Sequence, residues 1–172
     1  MDLREAIEKR ASVRSFTEDP VPDELVMETL RLGTLAPSAG NLQARDFVVV
    51  RDADTKARLA KAAFGQDFVE YVPVVIVCCA NLGRIRNYGI RGTDLYCLQD
   101  VAASVENMML YIASQGFGSC WVGAFDESQV VKILGLPENV RPVLLLPIGV
   151  PKDPSRRTPR MKLDAVVHKE KW

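Results

Sequence analysis

Apolar positions along this chain follow two rhythms, one with helical spacing and one in short continuous runs. Leu3, Ala6 and Ile7 recur at helical spacing behind Asp2, a residue suited to cap a short first helix. Pro22-Asp23-Glu24 opens a second helix that runs to about Leu35, with acids in its first turn where the helix dipole favours them and Pro37 closing it. A third helix is predicted over Asp54 to Phe64, and a capped one over Asp126 to Leu134. The longest runs from about Asp94 to Gln115 and stops at Gly116. In it Leu95, Leu98, Ala102, Val105, Met109 and Ile112 step by three and four, while Val101, Ala103, Met108, Leu110 and Tyr111 make the other faces apolar as well. A helix apolar on most sides belongs in the middle of the fold, against a sheet or a second subunit.

The second rhythm marks strands. Phe47 to Val50, Val74 to Cys79 and Val143 to Ile148, the last with Pro147 near its end, are β-branched, aromatic or otherwise apolar runs of strand length. Their near-continuous apolarity predicts a sheet covered by helices on both faces, hence an α/β fold. Val122 to Phe125 reads as a short strand or a turn. Between the periodic elements lie Ser12 to Phe16, the loop Ser38-Ala39-Gly40-Asn41, and a tail from Pro151 to Trp172 too long to ignore and suited to docking on a neighbour.

A chain of 172 residues is expected to form one domain around one core, burying roughly 70% of its unfolded surface. Lys plus Arg and Asp plus Glu both total 22, so no net field favours nucleic acid or an acidic membrane, and a small partner is expected. The charged start, Met1 to Arg10, and the shortness of the longest apolar run, Pro73 to Ala80, point to a cytoplasmic protein with no membrane association. Cys78, Cys79, Cys97 and Cys120 lack C-x-x-C spacing and read as small buried hydrophobes, the adjacent pair facing opposite ways on a strand.

The chemistry open to such a chain is narrow. His168 is its single histidine, which argues against a Ser-His-Asp triad or a histidine-based metal site. Gly116 to Gly123 is glycine-rich but matches neither the phosphate-loop nor the dinucleotide spacing. Arg10, Ser12 and Arg14 offer two guanidinium forks and a hydroxyl for a phosphate or a polar ring edge, although a solvated surface turn would look the same. Pro37 to Gln43 presents a hydroxyl and two amides suited to a heterocycle, or forms an ordinary connection. Lys152, Arg156, Arg157, Arg160 and Lys162 make the tail basic, which suits either an incoming phosphate or plain solvation.

Taken in order, Arg10 to Phe16, Ala36 to Gln43, Gln99 to Leu110, Gly116 to Phe125 and Pro159 to His168 resemble the FMN-dependent nitroreductase family across nearly the whole chain. The resemblance implies a mixed, mainly antiparallel sheet flanked by helices, and an intertwined homodimer with two FMN molecules at its interface. Residues 151–172 would extend along the partner. By position, Arg10, Ser12 and Arg14 would contact the FMN phosphate, ribityl chain or ring edge, with Arg160 and Lys162 completing the phosphate site. Pro37, Ser38, Ala39 and Asn41 would approach the same flavin from the other subunit, with Gln43 and Gln66 as weaker carry-overs. The backbone at Val122, Gly123 and Ala124 would sit near the reactive flavin nitrogen. No catalytic side chain is then required, because the cofactor carries the chemistry.

The implied activity is NAD(P)H-dependent reduction of an organic acceptor such as a nitroaromatic or quinone by a ping-pong route, with NADH or NADPH as co-substrate. The alternatives are a flavin-fragmenting or dehalogenating relative, and a flavin-binding protein without nicotinamide turnover. The chain is short, with little room between Phe64 and Thr93 for helices inserted over an acceptor pocket, and Ala11 stands where many relatives carry a basic or polar residue.

Overall fold

A computed structural model describes residues 1–154 and 157–172, so Arg156 of the basic tail lies outside the described residues. Helix α1 (Leu3–Lys9) is capped by Asp2, whose carboxylate accepts from the Glu5 N–H at 2.8 Å, and α2 spans Asp23–Thr34. Strand β1 (Arg45–Val50) leads into α3 (Ala53–Ala62), the short α4 (Phe68–Tyr71) and β2 (Val74–Asn81). A single turn, α5 (Gly89–Arg91), and a π-helical turn over Gly92–Tyr96 deliver the chain into α6 (Cys97–Ser114). The two-residue β3 (Gly118–Ser119), α7 (Glu127–Leu134) and β4 (Val140–Gly149) complete the core.

The sheet order is β1-β2-β4-β3 and each of its three pairings is antiparallel. Among the described residues the parallel component is the isolated bridge between Ser12 and Ser119. Alternation along β2 builds two cores. Val74, Ile76, Cys78 and Ala80 pack with Leu25 and Val26 of α2 and with Val101, Val105 and Met108 of α6. Val75, Val77 and Cys79 face Leu59 of α3, Val69 of α4 and Val130 of α7. The adjacent cysteines thus point to opposite faces, and all four cysteines are buried and free. Burial, with a smaller push from the Asp46 charge, raises the Cys79 thiol to about 12, so it packs as a neutral hydrophobe.

The buried side of α6 is rotated from the one its spacing suggests. Val101, Ser104, Val105, Met108, Met109 and Ile112 are buried, whereas Leu98 and Ala102 are half-buried. The rotation brings α6 against α2 at close range: Ser104 donates its hydroxyl to the Gly33 carbonyl at 2.8 Å, and a β-carbon at Gly33 would lie 2.9 Å from the Met108 side chain. β3 comes from the glycine-rich stretch that carries no strand rhythm. It exists because a bare Gly118 lets Val13 approach to where a β-carbon would stand 2.8 Å away. The Phe64 to Thr93 stretch is occupied by α4 and β2, and from Leu82 on it runs through short helical turns into the π-helical turn.

Candidate functional site

Residues 10–14 leave α1 in an extended course, with Ala11 and Val13 turned inward and Ser12 and Arg14 outward. The Val13 N–H donates to the Ser119 carbonyl at 2.9 Å, which fixes this course beside β3. Alternation therefore places Arg10, Ser12 and Arg14 on one side. They line a cavity of about 150 Å³ together with Arg157, Thr158 and Arg160 of the tail. Arg157 is tied down by donating to the Glu8 carbonyl at 3.0 Å, and Arg160 donates to the Thr158 hydroxyl at 2.9 Å. Among the described residues no carboxylate lines this cavity. Four guanidinium groups and two hydroxyls around a small void form an anion receptor, matched to a phosphate by fork geometry and charge. Lys162 is exposed and outside the lining; Arg157 of the basic tail does line it, and Thr158 joins it without any signal in the sequence.

Beyond Ser119 the chain passes Cys120, whose thiol is raised by burial against the opposing influence of Arg14, Ser12 and Arg10. It then enters the turn containing Gly123. Val122 exchanges hydrogen bonds with Leu145 (3.0 and 2.9 Å), the Gln66 amide donates to the Ala124 carbonyl at 3.1 Å, and the Asp126 N–H donates to the Ala62 carbonyl at 2.8 Å. These ties hold the turn rigid, yet the N–H groups of Gly123 and Ala124 engage no acceptor among the described residues and both residues are exposed. A β-carbon at Gly123 would meet only Trp121, at 3.5 Å, so the fold itself makes no demand for glycine there. Gln66 thus acts through the Ala124 carbonyl, and the turn offers two preorganised donors. Four residue steps of chain separate Ser119 from Gly123, at most about 14 Å.

The loop from Pro37 to Gln43 is built differently. Its centre is a tight 3-10 turn over Ala39–Asn41, and Gly40, Asn41 and Gln43 all adopt positive φ, of 56°, 56° and 51°. Two buried charges hold this strained course. Asp100 of α6, 3% exposed, accepts from the Ala39 N–H at 2.9 Å and the Ala44 N–H at 3.2 Å. Arg45, also buried, donates to the carbonyls of Thr34 (2.7 Å) and Ala36 (2.9 Å); burial depresses its pKa, opposed by the nearby Asp100 charge. The Gln43 N–H closes the loop on the Ser38 hydroxyl at 3.0 Å. Pro37, Asn41 and Gln43 are left exposed. Asp100 carries a signal visible in the sequence, a carboxylate on an apolar helix; Arg45, opening a strand, carries none.

The two groups of predicted residues do not meet within one chain. Asp100, which grips the Pro37 loop, lies near the start of α6, while Arg10 and Ala11 share a cavity with Ala113, Gly116 and Phe117 at its end. Thirteen helical residues between Asp100 and Ala113 span about 20 Å.

The sequence pattern of the Nitroreductase family matches residues 7–72 and 63–150. This chain belongs to the nitroreductase family. A protein of Thermus thermophilus called NADH dehydrogenase is 33% identical over 195 residues, covering 97% of this chain and 95% of that protein. An FMN reductase [NAD(P)H] of Bacillus subtilis is 28% identical over 178 residues, covering 94% of this chain and 70% of that one. Among solved structures, the NADPH:FMN oxidoreductase from Vibrio harveyi complexed with NAD+ superposes with a TM-score of 0.92 at 28% identity, covering 99% of this chain and 77% of that one. The nitroreductase fold described above is therefore shared along the whole chain. Among the described residues no helix is long and apolar enough to cross a membrane.

Proposed function

We propose that this nitroreductase-family chain is an NAD(P)H-dependent FMN oxidoreductase, passing reducing equivalents from the nicotinamide to a small organic acceptor such as a nitroaromatic or quinone by a ping-pong route. The observation that carries the reading is the pairing of a phosphate-sized arginine cavity with a turn whose two N–H groups are unengaged and exposed. FMN fits these features: Arg10, Ser12, Arg14, Arg157 and Arg160 would hold its phosphate, and Gly123 and Ala124 would donate to the ring where negative charge develops. When bound, FMN supplies the redox chemistry, accepting a hydride from NAD(P)H and returning it to the acceptor. The chain's own contribution is to orient the ring and both substrates and to stabilise charge, which needs no acid-base side chain.

The working unit is a homodimer. The Pro37–Gln43 loop of one chain can join the arginine cavity only by coming from a second copy, since α6 keeps the two apart within a chain. An apolar groove of about 290 Å³ between α1, α2 and α6, lined by Leu3, Leu32, Leu35, Leu110 and Tyr111, offers a surface for that contact. Among the described residues the outer edge of β1 has no strand partner, and residues 157–172 are exposed throughout. Residues 1–172 thus act as one flavin-binding domain whose segment 151–172 docks on the partner, in the cytoplasm.

Purified protein saturated with FMN and desalted should stay yellow and bleach on anaerobic addition of NADPH or NADH. Flavin that is retained but not bleached would assign the chain to flavin binding without nicotinamide turnover. Loss of flavin on desalting would contradict the reading.

A further inference from the structure

Beside the Gly123–Ala124 turn lies a cleft of about 330 Å³ that the flavin site does not use. Arg58 and Lys61 of α3, Phe64, and Asp126, Gln129 and Lys132 at α7 line it. The chain has no net charge, yet this wall gathers three cations, none of them salt-bridged to a carboxylate among the described residues. Its one acid, Asp126, is engaged as the cap of α7, accepting from the Ser128 hydroxyl at 2.7 Å and the Gln129 N–H at 3.1 Å.

Phe64 is the second observation. It is 72% exposed and held at a φ of +58°, a region that bulky residues seldom occupy. Neither burial nor local backbone preference accounts for an aromatic ring there. Strain of this kind gathers at ligand sites, and a ring presented to solvent beside cations is a stacking platform. The cleft also adjoins the proposed hydride-transfer turn: Asp126 is two residues beyond Ala124, and Phe64 is two residues before Gln66, whose amide holds the Ala124 carbonyl.

We propose that this cleft receives the adenosine 2′-phosphate end of NADPH, the phosphate among Arg58, Lys61 and Lys132 and the adenine against Phe64. The inference rests on the nicotinamide-driven reading above and adds the choice of donor to it. A phosphate monoester carries nearly two negative charges at neutral pH where NADH carries a hydroxyl, so the cations discriminate in favour of NADPH.

The test uses the FMN-loaded protein and compares kcat/KM for NADPH with that for NADH, in the wild type and in the double variant Lys61→Ala, Lys132→Ala. The wild type should prefer NADPH, and the substitutions should lower the NADPH-to-NADH ratio about ten-fold or more, the expected loss for removing charge-assisted contacts. Adenosine 2′,5′-bisphosphate should compete with NADPH far better than inorganic phosphate does, and Phe64→Ala should weaken that competition. A preference for NADH, or a ratio unmoved by the substitutions, overturns the proposal, as does inhibition by inorganic phosphate equal to that by the nucleotide. Failure of both donors to bleach the flavin would count against the enzyme reading instead. In that case calorimetry decides the cleft: adenosine 2′,5′-bisphosphate binding that the double variant abolishes supports it, and no binding overturns it.

Discussion

Asp100 shows how one buried charge shapes a distant surface. Its two oxygens take one N–H each from Ala39 and Ala44, and Ala44 is fully buried, so its N–H has no water as a substitute. In Asp100→Asn one oxygen becomes an NH2 group facing an N–H. Leaving a buried donor unsatisfied costs about 1–3 kcal/mol, so denaturant unfolding should show a loss of that order, with weaker flavin retention because the Pro37–Gln43 loop loosens. The glycines separate structural from ligand-directed demands in the same way. Gly118→Ala would drive a β-carbon into Val13 and should destabilise by about 1–3 kcal/mol. Gly123→Ala meets only ordinary contact with Trp121 and should leave the unfolding midpoint near the wild type while slowing reduction of bound flavin, a split that thermal melts and stopped-flow absorbance together would reveal.

At the scale of elements, legibility followed the strength of local signals. The Asp2 and Asp126 caps, the closure of α2 before Pro37 and the apolar runs of β2 and β4 announce themselves because each depends on neighbours in sequence. The buried side of α6 does not, because an almost wholly apolar helix is oriented by partners such as Gly33 and Leu144 that come from remote segments. β3 was equally hidden, since two residues pair there only after Val13 has packed over Gly118. At the site, Arg10, Ser12 and Arg14 could be read from spacing, whereas the convergence of Arg157 and Thr158 upon them, and the grip of Arg45 on three carbonyls, arise from tertiary structure alone. Beyond Arg160 the tail leaves its apolar side chains uncovered by its own chain: Leu163, Val166 and Val167 are all exposed. Removing residues 163–172 spares Arg160, so it should shift the protein toward monomer in sedimentation experiments and lower flavin occupancy, through assembly rather than through the phosphate contacts.

On the proposed reading, the whole molecule is half of each of two sites. A three-layer core places an arginine cavity at one end of α6 and a strained polar loop at the other, about 20 Å away by helical rise. A two-fold assembly makes such an arrangement useful, because symmetry brings the opposite ends of two copies together twice. Flavin binding and dimer formation are then one linked equilibrium, and FMN should raise the apparent stability of the dimer by mass action. The most direct test is complementation between chains. One variant carries Arg10→Ala with Arg160→Ala, the other Ser38→Ala with Asn41→Ala, and FMN retention is measured for each alone and after co-expression. The account predicts that each variant alone loses the flavin, while the mixed population recovers a share of it in heterodimers that keep one intact site. Flavin retained by either variant alone, or no recovery in the mixture, would contradict the claim that the cofactor is held between two chains.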